Sequence, residues 1–155
     1  MSVLVATPPR ATPVRRYVRG AARVVAAAGL AVDAYVHAKL AGQYDAVIAS
    51  VSQGDLFAAE AGLAALAALL VLAWRRVPAD LFALLVAAGG LALLLIYRYV
   101  DVGELGPVPN MYEPVWFPDK WLSVIAQSVA LVSTALLMLT SPFGSQVDPR
   151  WQRHP

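Results

Sequence analysis

From Leu81 to Ile96 the chain runs without one charged or hydrogen-bonding side chain. No amphipathic helix on a soluble core has such a stretch, because one of its faces must meet water. The rest of the chain agrees. Of its 155 residues 59% are hydrophobic and only 14% charged, too apolar for an ordinary soluble domain. The length allows one domain, with no room for a catalytic module beside a membrane anchor.

A helix rises 1.5 Å per residue and the hydrocarbon core of a bilayer is about 30 Å thick, so a span needs roughly 20 mostly apolar residues. Four stretches meet this condition. The run just described, opened by Pro78 in the first turn and extended by Tyr97 to Val100, gives a span over about 79–100. A second lies at 119–139, with Pro118 opening it and Pro142 and Gly144 closing it. Ala61 to Trp74 is too short alone, so its span starts near Asp55 and takes Glu60 into the membrane, giving 55–74. The first span, 17–40, holds Arg19 and Arg23 near one end and Asp33, His37 and Lys39 near the other. A cleavable signal peptide has a similar outline. Here Asp33 and His37 would interrupt it before cleavage, and Arg15-Arg16 lacks the rest of a twin-arginine signal, so the segment is read as a span.

The expected fold is therefore all-α, an antiparallel bundle of four transmembrane helices. A basic tail (1–16) precedes a membrane domain (17–141), a second tail (142–155) follows it, and loops occupy 43–54 and 101–118. Small residues four apart, at Ala22 and Ala26, Ala27 and Ala31, Ala58 and Gly62, and Ala64 and Ala68, allow helices to approach closely.

Basic residues collect on the cytoplasmic side of short loops. Arg10, Arg15, Arg16, Arg19, Arg23, Arg75, Arg76, Arg150 and Arg153, nine of the twelve Lys and Arg, fall on one side of this topology. Both termini are therefore expected in the cytoplasm. With Asp80 and Asp148 on the same side, the inner charge is +7 and the outer charge −5, a dipole that the net +2 conceals. The inner rim is expected to meet anionic membrane lipids. Nucleic acid is not an expected partner, because the arginines flank hydrophobic spans without interleaved aromatics or a groove-reading motif.

Zero cysteines remove disulfides, thiol redox centres, Cys-ligated zinc and Fe–S clusters. Gly103 and Gly106 make no dinucleotide fingerprint, and the chain has no phosphate loop or serine nucleophile elbow. No cofactor is expected, and an enzyme is the weakest of the functional classes.

At 100° per residue, Arg19, Arg23, Asp33 and His37 fall within about 80° of one another on the first helix. Asp33 and His37 stand one turn apart, so a carboxylate and an imidazole can share a ligand or a proton, and imidazole titrates near 6.5. Glu60 lies at a similar depth on the second span. Lys120, Ser123, Gln127 and Thr134 make a polar stripe on the fourth, while Arg98 and Asp101 end the third. Charged groups in a bilayer are expensive, so these are expected to face inward and pair. The pairing can be purely structural, with Arg98 neutralising Glu60 or Asp101. Alternatively Asp33, His37, Glu60, Arg98 and Asp101 form an outward-facing pocket for an ion, a proton or a small polar ligand. Asp33, His37 and Glu60 suit a divalent metal by ligand type, but one histidine gives too sparse a pattern, and no metal is expected. The proline-rich loop before Lys120 holds Tyr112, Glu113 and Trp116, which form either a lid on that pocket or part of an interfacial aromatic belt.

The stretches DAYVHAKLAGQYD, SQGDLFAAEAG and YRYVDVGELGPVPNMYEPVWFPDK resemble a group of uncharacterised small four-span membrane proteins from actinobacteria, over about Asp33 to Lys120. The resemblance implies that Asp33, His37, Gln53, Glu60, Arg98, Asp101, Tyr112, Glu113 and Lys120 belong to shared motif stretches, and gives none of them a role. In architecture the chain is also similar to DoxX-like four-helix membrane proteins. Without cysteine, a thiol redox role does not carry over from that likeness. The sequence therefore points to a cell-membrane, multi-pass protein with an outer polar pocket used in sensing or transport. The alternative is a non-catalytic accessory subunit of a larger envelope complex, packed against another integral membrane protein.

Overall fold

The computed structural model describes residues 13–141. It contains four helices, α1 (Pro13–Ala41), α2 (Gln53–Ala73), α3 (Val77–Tyr99) and α4 (Pro118–Leu139), and no strand among the described residues. Each is long and apolar enough to cross a membrane, the build of a multi-pass integral membrane protein. The helix ends follow local chemistry. Pro78 and Pro118 sit in first turns, and Ser52 caps α2 in a capping box, its hydroxyl accepting from Asp55 N–H while the Asp55 carboxylate accepts from Ser52 N–H. α1 starts at Pro13, so Arg15 and Arg16 are helical. The expectations for Arg10, Pro142, Gly144, Asp148, Arg150, Arg153 and His154 lie outside the described residues.

The helices form a ring in which each packs against its two chain neighbours and α4 closes back on α1. Its interior is made of small side chains. Ala26, Ala64, Ala67, Ala83, Ala87 and Ala130 are buried, whereas Leu69, Leu85, Ile125, Val132 and Leu139 are more than half exposed. Water would penalise that arrangement; lipid does not, and close approach at small residues then supplies the packing. Ala22, Ala26, Ala64 and Ala68 pack inward as their spacing suggested. Ala31, Ala58 and Gly62 face outward, and a Cβ on Gly62 would meet nothing within 4 Å. One close approach is at Gly29, where a Cβ would lie 2.7 Å from the Ala126 carbonyl of α4.

The helix with the most charge, α1, is the least apolar of the four and the most enclosed. Its arginines fasten one end of the ring. Arg23 Nη1 and Nη2 donate to Asp80 Oδ1 and Oδ2 at 2.6 and 2.9 Å, and Nη1 also donates to the Val71 carbonyl at 2.9 Å. Arg19 donates to the Leu137 carbonyl and the Thr140 hydroxyl, both at 2.8 Å, and Arg15 donates to the Thr140 carbonyl. This is the short-turn end, where Trp74 to Arg76 joins α2 to α3. At the opposite, long-loop end the backbone N–H groups of Ser50 and Val51 donate to the Pro107 carbonyl, tying the loops 42–52 and 100–117 together.

Candidate functional site

Near the long-loop end all four helices contribute to one polar cluster beside a cavity of about 390 Å³. α1 provides Asp33 and His37 one turn apart, both buried. His37 Nδ1 lies 3.1 Å from Asp33 Oδ1 and 3.0 Å from the Asp33 carbonyl. With two acceptors in reach, Nδ1 carries the proton, and Nε2 is the ring's other polar atom. The imidazole is also packed edge-on against Phe57 of α2, ring centroids 5.5 Å apart. Gln127 of α4 donates from Nε2 to Asp33 Oδ1 at 2.9 Å. Glu60 of α2 approaches the same place. α3 supplies Gly90, where a Cβ would stand 2.6 Å from Gln127 Nε2 and 2.7 Å from Glu60 Oε1, so the missing side chain is what lets these two groups face each other.

The hydrogen bonding is incomplete. Asp33 Oδ2, Glu60 Oε1, Gln127 Oε1 and Ser123 Oγ are all buried without a partner. Buried polar atoms normally have one, and each orphan costs about 1–3 kcal/mol. Three of the four are pure acceptors, so the cluster as it stands is short of donors.

The cavity is not lined as the sequence suggested. Asp33 is not among the lining residues, and His37, Gln53, Glu60, Glu113, Lys120 and Ser123 are outnumbered by Leu40, Leu56, Phe57, Leu63, Leu93, Leu94, Met111 and Phe117. The site is therefore amphipathic, with an apolar body and a polar end. Alternation and helical period reveal one helix face at a time; the apolar wall comes from facing sides of two helices and a loop, which no single period exposes.

Arg98 and Asp101 are placed differently from expectation. The Arg98 guanidinium lies 5.0 Å from the Tyr99 ring and 5.1 Å from the Trp116 ring and forms no ion pair among the described residues. It does not line the cavity, and aromatic faces rather than Glu60 or Asp101 balance its charge. Asp101 organises its own loop, accepting from Gly103 N–H at 3.1 Å and Asn110 Nδ2 at 2.9 Å. The ion pairs that do cross the ring, Arg23 and, at 3.7 Å, Arg19 with Asp80, lie at the other end.

The cover is built from the expected loop but partly from other residues. Glu113 lines the cavity, its N–H donating to the Tyr97 carbonyl at 3.0 Å and its Oε1 accepting from Val115 N–H at 3.2 Å. Lys120 donates to the Glu113 carbonyl, which joins α4 to this loop. Val108, Met111 and Phe117 complete the cover, whereas Tyr112 is outside the lining and Trp116 stacks on Trp121 at 4.4 Å. Tyr44 closes the other side, packed edge-on against Phe57, with centroids 5.2 Å apart. Burial, helped by the Glu113 carboxylate, holds the Tyr44 phenol above its ordinary pKa, so it stays a neutral hydroxyl at physiological pH.

No cluster of three or more His, Cys, Asp and Glu side chains arranged to hold a metal occurs among the described residues. No protein family, curated protein or solved structure matches the chain.

Proposed function

We propose that the chain is a multi-pass protein of the bacterial inner membrane. In this reading the bundle is antiparallel, both termini are cytoplasmic, and the cavity near the outer face binds a small molecule for sensing or transport. The charge asymmetry of the sequence supports the orientation, since Arg15, Arg19, Arg23, Arg75 and Arg76 gather at the short-turn end, where anionic lipid head groups meet them. The resemblance to small actinobacterial four-span proteins supports the location. His37 and Glu60 bind the polar part of the ligand, with Ser123 beside them, Asp33 and Gln127 hydrogen-bonded behind them and the Glu113 loop as cover. We read the protein as a binding protein more than as an enzyme, since acid–base groups are present but the serine beside them, Ser123, is hydrogen-bonded to no base.

One observation carries this reading: Glu60 Oε1 is buried without a partner in a group that also lines the cavity. A structural network would satisfy its own acceptors. Native mass spectrometry of gently solubilised protein tests it. A bound small molecule on the wild type, lost from Glu60→Gln, is the expected result; identical spectra without any adduct would overturn it.

A second reading, the accessory subunit, draws on the outward-facing Ala58 and Gly62, small residues on a lipid-exposed surface. Its test is co-purification of another integral membrane protein in mild detergent, lost in Gly62→Leu. A clean monomer in the same detergent counts against it.

A further inference from the structure

Resting on the reading that the cavity is a ligand site, we propose that its occupant is a membrane-dissolved amphiphile with a protonated amine head, admitted from the lipid between α2 and α3. The position of the opening is the first argument. Ala59 and Leu63 of α2 and Leu93 of α3 line the cavity and are exposed, Leu63 at 44% and Leu93 at 53%, so no other helix covers the wall here. They lie roughly two to three turns in from the long-loop ends of their helices, at a depth where the surroundings are hydrocarbon and not water.

The walls and the polar end define the two parts of the ligand. A hydrated ion gains nothing from Leu56, Phe57 and Leu94, whereas an alkyl chain does, and about 390 Å³ falls in the range of small-molecule sites. At the polar end Ser123 is only 2% exposed, lines the cavity and has no hydrogen-bond partner. Glu60 Oε1 is equally unpartnered, with Asp33 Oδ2 and Gln127 Oε1 orphaned beside it. An ammonium brings three donors and no acceptor, and it supplies the charge that a buried carboxylate requires. The ionisable lining side chains favour a cation: Glu60 and Glu113 are acids, His37 already directs its N–H to Asp33, and Lys120 spends its ammonium on the Glu113 carbonyl at the mouth.

The test uses the full chain in phosphatidylcholine nanodiscs and dodecylamine carrying a diazirine in mid-chain. Photolabel is expected on Leu63, Leu93 and Leu94 and is competed by unlabelled dodecylamine. Dodecanol, dodecanoate and ethylamine should compete at least tenfold more weakly. Glu60→Gln should lower labelling at least tenfold, and Ser123→Ala, which removes only a hydroxyl, severalfold. Equal competition by ethylamine would remove the lipid-access part while leaving a ligand site in place, and equal competition by dodecanoate or dodecanol would remove the amine. Labelling spread over the lipid-facing surface and unchanged in both variants would overturn the proposal. A co-purified molecule dependent on Glu60 in the native mass spectrum would then show that the ligand site stands without it.

Discussion

Arg23 and Asp80, on helices that face each other diagonally across the ring, meet through two hydrogen bonds of 2.6 and 2.9 Å, with Arg23 4% exposed and Asp80 fully buried. Removing Arg23 leaves the buried Asp80 with only a longer, 3.7 Å contact to Arg19. Arg23→Ala is expected to cost about 3–5 kcal/mol, read as an earlier unfolding transition in detergent. Replacing both, as Arg23→Leu with Asp80→Leu, should recover most of that loss, because the desolvation cost disappears with the charges. A double variant no more stable than the single one would show that the Val71 carbonyl, and not Asp80, is the important partner.

Gly29 and Gly62 make a matched pair of opposite expectation. At Gly29 any side chain runs into the Ala126 carbonyl, so Gly29→Leu should destabilise by about 1–3 kcal/mol through overpacking. Gly62→Leu meets open space and should stay within about 0.5 kcal/mol of the wild type. Thermal unfolding of the two purified variants side by side checks this.

Gly90→Ala should act on the cluster and not on the fold. The added methyl meets the movable ends of Gln127 and Glu60, both of which can turn aside. The expected result is a near-normal unfolding temperature with a clear fall in bound ligand. Unchanged binding would mean that the spacing of Glu60 and Gln127 is irrelevant to the site.

Ser52→Ala removes the hydroxyl that accepts from Asp55 N–H and should cost about 1 kcal/mol of stability. Ser52→Asp should restore most of it, since aspartate caps as well as serine.

The native chain has no cysteine, so single cysteines report topology on a clean background. Arg76→Cys is expected to react with a membrane-impermeant maleimide only after the membrane is opened, and Asn110→Cys in intact cells. The reverse pattern would invert the proposed orientation.

The spans were readable because lipid imposes a minimum length and tolerates few charges, and all four helices lie where the apolar runs place them. Half of the site was readable for a related reason. A carboxylate and an imidazole one turn apart on an otherwise apolar helix have only one comfortable direction, and Asp33, His37 and Glu60 all turn inward toward the same region. Pairing was less accessible. Asp80 near the start of α3 looked like a rim charge, and only the three-dimensional ring brings it to Arg23. Arg98 was expected to meet Asp101, three residues on, or Glu60 across the bundle, and found two aromatic faces instead, a choice set by how the loop before α4 folds back. Gly29 and Gly90 were silent, since a glycine's value at a crossing lies in what the neighbouring helix places there.

The arginines of α1 grip backbone carbonyls as well as side chains, so one end of the bundle is held by contacts that substitutions in the partner helices cannot easily erase. At the far end the buried Gln127–Asp33 hydrogen bond, the exposed Lys39–Asp119 pair, the Lys120 bond to the Glu113 carbonyl and a few loop hydrogen bonds do the holding. The least extensive of the four neighbouring helix packings is that of α2 on α3. If the cavity holds a guest as proposed, a small spreading of that seam would let it pass while the arginine-held end keeps the four helices in register.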